Sequence, residues 1–148
     1  MAWIKLYKPL REDDMRLTFR TIPHGKQRYN TVGDWYYKGA WWMFRVSKMK
    51  PKIYMFLVFI HELVEWWWCL ENRVFWGNLD SFDMKYEDAR EKGIAAPCGC
   101  VPTETSEPGH DIHAPYHEGH VIAEKVERFV AELFMVEWKE YEKTVDSL

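Results

Sequence analysis

A chain of 148 residues with 47% hydrophobic and 29% charged residues has the length and composition of one compact domain around a single apolar core. Aromatic residues make up 17%, nine tryptophans among them, so a large apolar area can be buried per residue. The formal net charge of -3 argues against a protein that grips nucleic acid through its phosphates, which takes a basic patch, and no nucleic-acid partner is expected.

Along the chain, Met15, Leu17 and Phe19 alternate with Arg16, Thr18 and Arg20, the period-two pattern of a half-buried strand. Pro23-His24-Gly25-Lys26 is a turn cluster. Strand-like runs follow at about residues 29–37 and 40–47, with Lys38-Gly39 suited to a tight hairpin. Helical sequence runs after Pro51 from about 52 to 72, and a second helix is predicted near 79–92. Residues 93–115, with Pro97, Pro102, Pro108 and Pro115, read as a long loop, which in a compact domain is usually functional or disordered. A final helix is predicted over about 116–143. The expectation is a single α+β domain, 1–148, in which a small N-terminal antiparallel β-sheet (1–50) packs on two or three α-helices.

Three cysteines and no leader pattern at the start fit a reducing, cytoplasmic setting. The most apolar run, 53–70, is long enough for a membrane span, but His61, Glu62 and Glu65 sit in its middle, where charge is most unfavourable. It therefore reads as a core helix without a membrane partner, apolar on nearly every side and enclosed by protein.

One imidazole and two carboxylates left unpaired in such a helix would cost several kcal/mol or more. Two resolutions present themselves: pairing with Arg45, Arg73 or Lys85, or a divalent cation. His61 and Glu65 are one helical turn apart and can reach one ion. Glu62 points about 100° away from His61, as helix geometry requires, and falls where the general base falls in the pattern H-E-x-x-H.

Further ligands are sought in two places. Asp80 and Asp83 are three apart, with Asp80 equally suited to a helix N-terminus and Asp83 the better metal-facing candidate. Four of the six histidines, His110, His113, His117 and His120, fall within eleven residues, a compositional signal for metal binding. On the last helix the expected apolar face is Ile122, Val126, Phe129 and Leu133, with His120 and Glu127 near its boundary and placed to point into a cleft. His117 and Glu124 are expected further towards solvent, and His110 and His113 on the loop. Cys98-Gly-Cys100 is a poor zinc signature by spacing, and Cys69 among tryptophans reads as core.

The order of parts, a small sheet followed by the His61-Glu62-Leu63-Val64-Glu65 helix, resembles the zincin metallopeptidases, from which it departs at Glu65, where that family has a second histidine. The strings Tyr29-Asn-Thr-Val-Gly-Asp-Trp35, Ile60-His-Glu-Leu-Val-Glu-Trp66, Asp80-Ser-Phe-Asp83, Glu107-Pro-Gly109 and Ala114-Pro-Tyr-His117 resemble a group of small phage and prophage proteins, from about residue 28 to 141. That resemblance implies a phage or bacterial cytoplasmic context and no particular activity.

Three functions are compatible with this pattern. The first is a zinc-dependent, peptidase-like hydrolase acting on a peptide or small molecule, with His61, Glu65 and either His120 or Asp83 as ligands and Glu62 as base. The second is a carboxylate-rich magnesium or manganese site, drawing on Glu62, Glu65, Asp83 and Glu127, acting on nucleotides or phosphoesters. The third is a non-catalytic, metal-stabilised interaction protein.

Overall fold

The computed structural model describes residues 15–148, so the first fourteen residues of the expected sheet region lie outside the described residues. The fold is α+β: three strands, β1 (Leu17–Ile22), β2 (Gly33–Lys38) and β3 (Trp41–Ser47), precede four helices, α1 (Lys52–Glu71), α2 (Trp76–Lys92), α3 (His117–Leu133) and α4 (Trp138–Asp146).

The sheet is mixed, with strand order β1-β3-β2. The antiparallel expectation holds for the β2–β3 hairpin, where Lys38 faces Trp41 across a two-residue turn. It fails for β1, which lies parallel to β3 with Leu17 opposite Trp42 and Ile22 opposite Ser47. Alternation sets which face a strand buries but not its direction. The ten-residue path from Pro23 to Val32 is too long for a tight hairpin and returns the chain one strand further away, leaving the gap that β3 fills. The strand expected from residue 29 begins only at Gly33, because Arg28 and Tyr29 leave the sheet to reach Asp80 and Asp83 on α2.

Trp42, Phe44 and Val46 point from β3 onto α1, where Phe44 meets Phe59 and Trp66 edge-on with ring centroids 5.7 and 5.5 Å apart. By length and composition α1 could cross a membrane; here it packs along α3 and against β2 and β3. It is not enclosed on every side as expected, since Phe56 and Trp67 are exposed.

The face that α3 turns to α1 also differs from the expected one. Its buried residues are Gly119, His120, Ala123, Glu127 and Ala131, whereas Ile122, Phe129 and Leu133 are exposed. Small residues let the two helices approach closely: a Cβ at Gly119 would lie 2.6 Å from the Trp68 indole. Close packing on three small residues outweighs burial of the bulkier stripe, and it places His120 and Glu127 at the centre of the contact instead of its margin.

The predicted single C-terminal helix is two. Met135 adopts φ +54°, and the amides of Val136 and Met135 turn back to the carbonyls of Ala131 and Glu132, a Schellman termination that neither glycine nor proline announces. Met135 is 90% exposed and held left-handed, a conformation that costs about 1–2 kcal/mol for a residue with a Cβ. Met135→Gly is expected to raise stability by about 0.5–1 kcal/mol in denaturant unfolding, and a loss would mean that this side chain makes contacts its exposure denies.

Candidate metal centre

His61 and Glu65 project from one face of α1 towards α3, and His120 projects back from α3 between them. His61 Nε2 lies 3.0 Å from His120 Nδ1 and 3.6 Å from Glu65 Oε2, and His120 Nδ1 lies 3.1 Å from Glu65 Oε2. These separations bracket the edge of about 3.3 Å expected between ligands in a tetrahedral site with bonds of about 2.0 Å. The three side chains could hold a metal ion between them.

The atoms that face away from this triangle are braced as well. His61 Nδ1 donates to Glu127 Oε2 at 2.8 Å, and the other Glu127 oxygen accepts from the Tyr141 hydroxyl. Trp35 Nε1 donates to Glu65 Oε1 at 3.1 Å, which leaves Oε2 directed at the triangle. Carboxylate partners behind a histidine fix its tautomer and ring orientation, and such partners are the common accompaniment of metal ligation. His120 is held differently. Its Nε2 lies 3.2 Å from Glu107 Oε2, within ion-pair range but not aligned for a hydrogen bond, and this buried nitrogen has no hydrogen-bond partner among the described residues.

Without an ion, the charges settle on one another. Burial alone would hold both histidines neutral. The hydrogen bond to Glu127 and the negative charge of Glu65 at 3.6 Å overcome that for His61 and leave its pKa well above the usual histidine range. The charge of Glu107 at 3.2 Å and the hydrogen bond to Glu65 do the same for His120, raising it to about 9. Glu65 is buried too, yet its hydrogen bond to His120 and the charge of His61 hold it down at about 2.

Glu62, one residue from His61, belongs to another environment. Its carboxyl faces a cavity of about 230 Å³ and makes no hydrogen bond to a described residue. Burial, reinforced by the negative charge of Glu65, raises its pKa well above the usual carboxylate range. Gly33 lies flat against it: a Cβ there would come within 2.3 Å of Glu62 Oε1 and 2.7 Å of Val58. Glycine at this point of β2 is what leaves the carboxyl room. The loop segment from Glu104 to His110 lines the same cavity, as expected of the long loop, and Gly109 packs so close to His120 that a Cβ would lie 2.3 Å from the imidazole Cγ.

The remaining candidates separate clearly. Asp83 lines the cavity, but its oxygens accept from Tyr29 at 3.0 Å and from Tyr116, and it is not among the converging donors. Burial raises its pKa to about 8, the charge of Glu65 adding to the effect and the Tyr116 bond opposing it. Asp80 is tied to Arg28, which also grips the fully buried Asp34, so this trio braces β2 against α2. Glu127 stands behind His61 as a supporting carboxylate. Neither Arg45, Arg73 nor Lys85 pairs with Glu62 or Glu65: Arg45 binds the Lys26 carbonyl and Tyr36. His117 is half-buried and bonds the Gly109 carbonyl, and His113 bonds Asp111. Cys98 and Cys100 are joined in a disulfide, which commits both sulfurs to each other, while Cys69 is buried in the aromatic core as expected.

Three participants escape sequence reasoning. Trp35 falls in an expected strand run, which does not mark it as a donor to Glu65; Tyr141 lies beyond the unforeseen break after α3; Glu107 sits in the loop. The Glu107-Pro-Gly109 string was the available signal, since glycine after proline marks close backbone approach. Comparison of the chain with protein-family models, with curated proteins and with solved structures finds no match.

Proposed function

We propose that the chain is a metal-dependent hydrolase, with zinc the ion its donors suit, acting on a peptide or another small carbonyl substrate. The observation that carries this reading is the convergence of His61 Nε2, His120 Nδ1 and Glu65 Oε2 beside a cavity into which Glu62 projects with no hydrogen bond to a described residue. Two histidines and one glutamate form a donor set of catalytic zinc, with a fourth position left for water or substrate. Here the glutamate comes from the motif helix and the second histidine from α3, an exchange of places relative to H-E-x-x-H that conserves the overall set.

A bound zinc would polarise the substrate carbonyl and bring the pKa of a coordinated water close to neutrality. The chain's own groups supply the rest. Glu62 takes the proton from the attacking water and returns it to the leaving group, a task for which a raised carboxyl pKa is suited. Glu127 and Trp35 keep His61 and Glu65 oriented, and the 104–110 loop segment lines the cavity. A magnesium or manganese site acting on nucleotides is the competing reading. It is weakened by Asp83, whose oxygens are taken by two tyrosine hydroxyls.

The test sets zinc-loaded protein and Glu62→Gln side by side against peptide, ester and nucleotide substrates. Hydrolysis of a peptide or ester by the wild type and not by the variant supports the proposal. Phosphate release alone, dependent on magnesium or manganese, replaces it with the competing reading. Tightly held metal with no turnover of any substrate class makes the centre structural.

A further inference from the structure

His120 is 6% exposed, and its Nε2 is a buried polar atom without a hydrogen-bond partner among the described residues. If Nδ1 faces the first ion, Nε2 must carry the ring proton, and leaving that donor unsatisfied in a buried position is unfavourable. The nitrogen is nonetheless not aimed at apolar surroundings. Glu107 Oε2 lies 3.2 Å from it, and ligand atoms of Glu107, His110 and His120 all fall within 4.8 Å of one another. The His110 ring stands edge-on to that of His120, with centroids 4.8 Å apart. His110 is itself braced: its Nε2 lies 3.0 Å from Glu124, which Arg128 holds in turn.

We infer that Glu107, His110 and His120 Nε2 form a second divalent-cation site, so that His120 bridges two ions through its two nitrogens. The inference rests on the proposed first centre only through the assignment of His120 Nδ1 to it. The donors again number two imidazoles and one carboxylate, which suits zinc or copper better than magnesium. Binding removes the Nε2 proton to solvent, which resolves the unsatisfied donor and makes occupancy rise with pH. The side chains of Glu107 and His110 are about half exposed, at 47% and 51%, whereas His61 and Glu65 are at 13% and 6%. The second ion is therefore open to solvent and leaves first.

The experiment is zinc stoichiometry of the full chain at neutral pH, before and after a weak chelator, for wild type and His110→Ala. Two equivalents are expected in the wild type, falling to one after the chelator, and one equivalent in His110→Ala under either condition. Glu107→Gln, a second variant at an exposed position, is also expected to hold one. Copper loading gives an independent readout: an imidazole bridge couples the two ions, so the wild type should show less EPR intensity than its copper content implies, with full intensity restored in His110→Ala. A single equivalent in the wild type that His61→Ala loses overturns the second site and leaves the first standing. Two equivalents in both wild type and His110→Ala, or two uncoupled coppers, overturn it as well. A protein that binds no ion removes both sites together.

Discussion

Glu62→Gln is expected to keep its metal and its fold while losing hydrolytic turnover by about 10²–10⁴-fold, the usual contribution of a positioned general base. The separation of the two properties follows from geometry. Glu62 lies one residue from His61 but roughly a quarter-turn away around the helix, outside the converging donors and without a hydrogen bond to any described residue. Glutamine has the same shape and meets the same contact with Gly33, so the packing of β2 on α1 survives. What it lacks is a group able to take a proton. The loss should appear in kcat more than in KM, because the missing interaction is made in the transition state. A variant with undiminished kcat would remove Glu62 from the role of base.

The second large effect is a reversal of pH dependence on metal removal. In the metal-free protein His120 is raised from its usual 6.5 to about 9, so its contribution is full below 6.5 and is lost as the pH climbs through 9. Asp83, raised from 3.8 to about 8, acts in the same direction over its own window: its contribution is full below 3.8 and gone above 8. Glu65, lowered from 4.5 to about 2, stabilises above 4.5, and that part is lost only as the pH falls through 2. Metal-free protein should therefore be most stable in mild acid and weaken from pH 6 to 9, with the His120 shift alone worth on the order of 3 kcal/mol. A bound ion requires neutral imidazoles and competes with those protons, so its stabilisation grows over the same interval. At about a thousand-fold excess over Kd it adds about 4 kcal/mol, or roughly 10 °C in Tm. Thermal unfolding with and without zinc across pH 6–9 checks this. Curves that stay parallel would show that the ion does not displace protons from these histidines.

Much of the centre was readable from residue type and spacing. His61 and Glu65 declared themselves because charge in the middle of an apolar helix demands compensation, and helical periodicity aligned them. His120 and Glu127 were recognised as a pair seven apart on α3, but the expected apolar stripe put them at its edge. Ile122, Phe129 and Leu133 are exposed instead, because the contact with α1 selects small residues and periodicity alone cannot weigh size against hydrophobicity. Asp83 was favoured as a ligand from its position on α2; what could not be foreseen is that Tyr29 and Tyr116, distant in sequence, occupy its oxygens. Strand direction in β1 and the left-handed turn at Met135 were hidden for a related reason: both are decided by tertiary packing and leave no local signature.

The most direct measurement of the central claim is the zinc content of purified protein after treatment with a weak chelator, compared between wild type and His61→Ala. The proposed centre predicts one tightly held equivalent in the wild type and none in the variant. Equal zinc content in the two proteins, whether one equivalent or none, would contradict it and leave the histidines and carboxylates between α1 and α3 as an ion-paired core.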